Sequence, residues 1–373
     1  MKLNFLPYLL LVLCLTLNSC SSSDDSGDDA YIPISPVVLD VTQVPYPKLS
    51  DYKFFGDTLK DLKPSYKVLP YKPASELFSD YAHKKRFVWM PVGKKATFKG
   101  NDKAMEFPVG AVLIKTFYFD HVLPNNTTQI IETRLMIKKN EATATASGWK
   151  TYNYIWNDTQ TEAYLDSDGN GFFVPIRWNE NGVEKNTFYK IPAFTECTTC
   201  HKVNPEQRGE ITIPIGVKPQ NLNNLYNYGN SQQNQLNKWV MEGYLENNIP
   251  GNINSTVDWT DTSKSLELRA RSYLDVNCAH CHQQGGHCDY VNMRFNFSNS
   301  DLQSFGVCMV PLFNVQNLPF VINAGDADKS EMVLRMSSTN QSLMMPYIGR
   351  TVIHSEGVAL IRQWINSMPD TCQ

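Results

Sequence analysis

The chain has 373 residues, with 34 Lys and Arg against 37 Asp and Glu and a formal net charge of −3. That balance excludes a strongly basic nucleic-acid surface and supplies no general attraction to anionic membrane. At 42% hydrophobic and 19% charged, the composition is that of a folded chain with a core, and the length allows two or three domains.

The N-terminus reads MKLNFLPYLLLVLCLTLNSC. Lys2 supplies a positive start and Leu9 to Leu17 a short apolar core. That core is too short to span the roughly 30 Å of hydrocarbon in a bilayer, so residues 1–19 are expected to be a signal peptide. Leu17-Asn18-Ser19-Cys20 resembles the lipobox of bacterial lipoproteins. The resemblance implies cleavage before Cys20 and lipid on its sulfur, and several acyl chains would hold the protein on a membrane where one would not. Residues 20–47 are expected to form a tether, acidic over Ser21 to Asp29 and then punctuated by Pro33, Pro36, Pro45 and Pro47. Its Ser- and acid-rich start is also similar to the export signal of surface lipoproteins in the Bacteroidota.

From about residue 85 the pattern is that of strands, and a mostly β domain is expected over 48–192. Val109 to Phe119 is rich in β-formers. In Gln129–Lys138, Ile131, Thr133, Leu135 and Ile137 share one face, with Glu132, Arg134 and Met136 opposite, a period of two. Trp149–Trp156 repeats it through Tyr152, Tyr154 and Trp156. Asn181-Gly182 marks a hairpin before Val183–Ile191. Asp166 to Gly171 begins like a calcium loop, but position 12 is Arg177 and no helices flank it, so a β-turn is expected. Short strands separated by turn signals predict an antiparallel sandwich or barrel.

Beyond residue 193 helical stretches are expected at Gln232–Glu246, Ser265–Val276, Lys329–Ser337 and Ser355–Ser367. In the last, Val358, Ile361 and Ile365 recur at helical spacing with Trp364 toward a core. This part of the chain carries Cys197-Thr198-Thr199-Cys200-His201 and Cys278-Ala279-His280-Cys281-His282. Both read CxxCH, the attachment sequence of c-type haem. The spacing has a chemical reason: two cysteines three apart can reach both vinyl groups on one porphyrin edge, and the following imidazole binds iron from the proximal side. With 9 Cys and 7 His in the chain, one such motif arises by chance on the order of 0.004 times, and two about 10⁻⁵ times. A zinc site of four cysteines would place its pairs about 15–20 residues apart, whereas these begin 81 apart, from 197 to 278. A redox CxxC would not require the His. Two haem c groups are therefore expected, held by Cys197, Cys200, Cys278 and Cys281, with His201 and His282 as proximal iron ligands.

Met344-Met345-Pro346 lies 62–64 residues after His282. Residues 263–373 resemble class I cytochrome c, which implies a distal Met beside a Pro; Met345 is the expected ligand, with Met344 the alternative. The same template fits 193–262 in shortened form, Leu236 to Val240 echoing Ile361 to Ile365. The expected fold is thus a multidomain α+β chain, an antiparallel β sandwich or barrel-like region followed by two mainly α-helical cytochrome c-like modules. The shortened module lacks a Met loop. Met241 is its only Met, and His83, His121, Met90 and Met136 are candidate donors from the β region; otherwise the first iron is open. His280, inside its motif, is not expected to reach its own iron, His287 is expected to be exposed, and His83, His121 and His354 read by themselves as ordinary surface or polar-contact residues. Cys288, Cys308 and Cys372 allow at most one disulfide, with the pairing undetermined.

Lys48 to Tyr52, Glu76 to Ala82, Phe107 to Gly110, Tyr273 to His282, Met345-Pro346 and Gly349-Arg350 together resemble a family of bacterial di-haem c-type cytochromes over nearly the whole chain. The resemblance implies electron transfer at the cell envelope, with redox proteins as partners, the membrane reached through the lipid anchor, and the outer membrane as the expected location. Two alternatives stand beside it. Phe107 to Gly110 with Val112 to Phe119 is similar to cytochrome P460-type oxidases, implying a redox enzyme with an open first iron, peroxidase-like or P460-like. The β region could also be a binding module served by the haems. No Ser-His-Asp set or phosphate loop supports a hydrolase or kinase.

Overall fold

A computed structural model describes residues 33–143, 146–204, 209–229, 231–369 and 372; the expected signal peptide and Cys20 lie outside them. Strands β1 (Leu69–Pro70), β2 (His83–Trp89), β3 (Val112–Val122), β4 (Thr127–Lys138), β5 (Trp149–Trp156) and β6 (Ala163–Leu165) pair antiparallel in chain order. The hairpin β7 (Phe172–Glu180) and β8 (Val183–Ile191) joins at the end of β3, where Val122 pairs with Trp178. Asn181 and Gly182 take positive φ at its tip, as a tight hairpin turn requires. The Asp166 to Gly171 stretch is a turn, with Gly169 N–H donating to Asp166 Oδ1 at 3.0 Å.

One face of the sheet buries Phe87, Trp89, Val112, Ile114, Leu135, Ile137, Tyr154 and Trp156 beneath the segment that contributes Val44, Leu49, Tyr52 and Phe54. The two-residue period in β4 does not hold throughout. Between Phe117 and Tyr118 the β3–β4 register slips, so Glu132 faces Phe117 while Ile130 faces Tyr118. A bulge of one residue reverses the side-chain sense beyond it. Ile130 therefore joins Leu135 and Ile137, while the expected face-mate Ile131 packs with Phe117, Phe119 and Tyr189 in another cluster.

The expectation of two mainly α-helical cytochrome c-like modules is overturned. The chain is mainly antiparallel sheet, with six short α-helices among the described residues: α1 (Phe194–His201), α2 (Pro219–Leu222), α3 (Gln235–Met241), α4 (Leu266–Leu274), α5 (Glu331–Met336) and α6 (Ser355–Asn366). Two small ribbons, β9 (Lys202–Val203) with β10 (Ile211–Thr212) and β11 (Leu225–Asn227) with β12 (Gln232–Asn234), separate the first three helices. The helical periods were real but short. α3 ends at Met241, and Trp239 inserts between Tyr71 and Phe107 of the β region rather than into a helical module. From His282 to Ser330 no α-helix forms; Gly, Pro and Asn hold that stretch in turns. α4, α5 and α6 share one core, where Tyr273, Leu274, Val333, Ile361, Trp364 and Ile365 meet, while Leu222 of α2 and Leu236 and Trp239 of α3 pack into the β region. No helix among the described residues is long and apolar enough to cross a membrane. Cys308 and Cys372 form a disulfide, which ties the chain end to the loop region, and Cys288 is buried and free.

Candidate functional site

The first CxxCH occupies α1. Glu196 accepts the N–H of Ala193 at 2.8 Å and starts the helix, and one helical turn then places Cys197 and Cys200 on one face. The His201 ring is fixed by the chain that returns after it: Nδ1–H donates to the carbonyl of Ile213 at 2.9 Å, and Ile213 N–H donates back to the His201 carbonyl at 2.6 Å. That bond assigns the proton to Nδ1 and leaves Nε2 with its lone pair, the usual support for a metal-binding imidazole. Burial pushes His201 down to about 4, so the ring is neutral at neutral pH.

The second CxxCH begins where α4 widens into a π-helical segment, Asp275–Ala279. The wider turn is held by buried groups. Asp275 accepts from Lys218 Nζ at 3.3 Å, Gln220 Nε2 at 3.1 Å and the N–H of Phe297 at 3.0 Å. Asn277 Oδ1 accepts the N–H of Phe78 at 2.9 Å. After the motif, Gly285 has φ +72° and a Cβ there would lie 2.6 Å from the Asn204 carbonyl oxygen. The glycine lets the two motif-bearing segments touch, with Asn204 N–H donating to Gly285 at 2.7 Å. His282 is buried and held near 4 by desolvation, and its Nδ1 is one of the buried atoms with no hydrogen-bond partner among the described residues.

Both motifs border one cavity of about 630 Å³ between the second face of the sheet and the α4–α6 region, within the size range of cofactor pockets. Cys200 and His280 of that lining meet Cys281, the ligand atoms of the three lying within 4.8 Å of one another. The proximity of the Cys281 thiol and the His280 ring holds Cys200 well below the usual thiol range and pushes Cys281 up, while Cys281 Sγ donates to the Thr199 carbonyl at 3.7 Å. Burial pushes Cys278 up to about 12.

Met345 borders the cavity, while Met344 is buried outside its lining. The Met345 backbone is clamped: its N–H donates to Arg335 at 3.0 Å and its carbonyl accepts from Arg350 Nη2 at 3.0 Å. Of the other sulfur and imidazole candidates, Met136 borders the cavity, Met90 is buried among apolar side chains, and His83 and His121 are exposed. Met241 is 75% exposed and points away from any core. Sequence reasoning missed the charged floor of the cavity, Arg86, Lys115 and Arg134, and with it Asn153. The signal was Lys115 standing alone in the apolar run Ala111 to Phe119, which a strand buried on both faces does not tolerate without a reason.

Comparison with protein-family models, with curated proteins and with solved structures found no match.

Proposed function

We propose that the protein is an exported, lipid-anchored di-haem c-type cytochrome that passes electrons at the cell envelope to redox partner proteins. The observation that carries the reading is the convergence of both CxxCH motifs, 81 residues apart in sequence, on one cavity. The donor set suits the group. Each motif offers two thiols and a neutral imidazole, and the His201 ring presents Nε2 with Nδ1 already satisfied. Cys197 and Cys200 would hold one haem and Cys278 and Cys281 the other, with His201 and His282 as proximal ligands and Met345 distal at the second. Haem would supply one-electron chemistry when bound; the chain would hold its iron ligands, exclude water and set the charge around it. The sulfurs of Cys200 and Cys281 lie within 4.8 Å, so groups attached there would be neighbours, which suits transfer between them without catalytic side chains. Cys20 would carry the lipid.

A second reading rests on the same cluster: Cys200, His280 and Cys281 could hold a metal ion such as zinc, three ligands with one position open. Haem staining on a reducing, denaturing gel separates the two, with metal analysis of the same sample. Covalent haem should fall by half in Cys197→Ala/Cys200→Ala and by the other half when Cys278 and Cys281 are changed. Zinc without iron would overturn the haem reading. Met345→Ala should alter the spectrum of one haem and lower its potential, since a thioether ligand favours the reduced iron; Met241→Ala should alter neither. Carbon monoxide binding to the untreated protein would mark an open first iron and favour a redox enzyme.

A further inference from the structure

The register of the sheet places three cations side by side. Arg86 on β2 pairs with Lys115 on β3, Lys115 pairs with Arg134 on β4, and Arg134 pairs with Asn153 on β5. All four residues border the cavity. Like charges directly opposite one another across strands are destabilising, and more so away from water. The outer two have partners: Glu76 accepts from Arg86 at 3.0 Å, and Glu132 pairs with Arg134 while also accepting from Tyr189 at 2.6 Å. The middle one does not. Among the described residues Lys115 makes no ion pair, and its Nζ sits 4.7 Å from the centre of the Phe117 ring; burial and the flanking Arg86 and Arg134 hold its ammonium well below the usual lysine range, so an anion placed against it is what would keep it charged. At the end of the row both polar atoms of the Asn153 amide are buried without a partner among the described residues. A row of cations plus an unfilled amide, all facing one cavity, is the arrangement that binds an anion with more than one acceptor oxygen.

The row also stands close to the first CxxCH. Glu132, the partner of Arg134, accepts from Tyr189, and the next residue, Lys190, pairs with Glu196 immediately before Cys197, so β8 links the row to the motif-bearing helix. We propose that Arg86, Lys115, Arg134 and Asn153 form the binding site for the carboxylate side chains of the porphyrin held at Cys197 and Cys200. The inference rests on the haem reading above and adds the part of the cofactor that the sequence motif does not address. The carboxylates would complete the charge balance of the row, and the row in turn would offset their negative charge beside the first iron, which favours its reduced state.

The test is potentiometry on the haem-loaded protein, with covalent haem counted first. In Lys115→Met, which keeps the side-chain stem, one of the two potentials should fall by tenfold or more in its reduction equilibrium, about 59 mV for a one-electron couple. The same potential should become pH-dependent, because a carboxylate without its cation takes up a proton more readily. Lys115→Arg should restore the wild-type value, and the other haem should not move in either variant. A purely structural role would lower the unfolding temperature without selecting one haem. Haem-loaded Lys115→Met with both potentials unchanged would overturn this inference alone; absence of covalent haem would overturn it together with the reading it rests on. Added inorganic phosphate separates the two sources of anion: no effect on the wild-type potentials is expected, and a shift would show that the site takes a free anion instead.

Discussion

Among the contacts that fix the segment carrying the second CxxCH to the segment that follows the first is one buried ion pair, Lys218–Asp275, so Lys218→Met is the most informative stability variant. Asp275 is three residues before Cys278, its side chain is 1% exposed, and the Lys218 side chain is 10% exposed. Removing the lysine leaves the carboxylate buried with two neutral donors, Gln220 and the N–H of Phe297. Breaking a buried pair costs about 3–5 kcal/mol, and the two remaining donors place the expected loss near the lower end, about 3 kcal/mol. The unit from Ser35 to Gln373 has an unfolding entropy of about 0.7 kcal/mol/K from its size, so the midpoint should fall by about 4 °C. Calorimetry and denaturant titration should agree on the loss. Lys218→Met/Asp275→Asn should recover about 2 kcal/mol of it, because the second change removes the stranded charge. A single-variant loss under about 1 kcal/mol, or strict additivity in the double variant, would refute the claim that this pair holds the two segments together.

Three further outcomes are expected. Cys308→Ala opens a disulfide that closes 64 residues, and the chain-entropy model gives a loss of about 4 kcal/mol, read by non-reducing denaturant titration; an unchanged midpoint would contradict the pairing. His354, stacked on Phe78 and bonded to Tyr273 at 3.0 Å, is held by burial at about 4 against an ordinary 6.5. The unfolded chain then takes up the proton first as pH falls, so this contribution is complete above about 6.5 and drains toward about 4, in all about 3 kcal/mol. The stability difference between wild type and His354→Gln should shrink over that window, and a difference constant with pH would refute the assignment. Gly285→Ala forces a Cβ against the Asn204 carbonyl at positive φ and should cost about 2 kcal/mol by thermal unfolding; a loss below about 0.5 kcal/mol would show that the contact relaxes freely.

Local chemistry was legible in the sequence because it is written in short, fixed spacings. The two CxxCH motifs, the strands around Val112 to Phe119 and Trp149 to Trp156, and the Asn181-Gly182 turn depend on neighbours a few residues away, and the amphipathic period of α6 correctly picked out Ile361, Trp364 and Ile365 as core. Fold class was not legible. The helical periods at 235–241 and 331–336 extend for only seven and six residues, and a period says which face is apolar without saying what covers it. Trp239 could equally have packed on a helix or, as it does, on Tyr71 and Phe107. The bulge that parts Ile131 from Leu135 is likewise a property of two paired strands, invisible in either alone. The sequence by itself marked the Cys and His of the two motifs as cofactor candidates but set aside His280, which the structure brings to Cys200 and Cys281. Only the tertiary structure decided that both motifs face one cavity, that Met345 rather than Met344 borders it, and that Arg86, Lys115 and Arg134 stand in a row on its floor. Those are contacts between residues tens to hundreds of positions apart, set by strand register and by the burial of side chains, which no local spacing encodes.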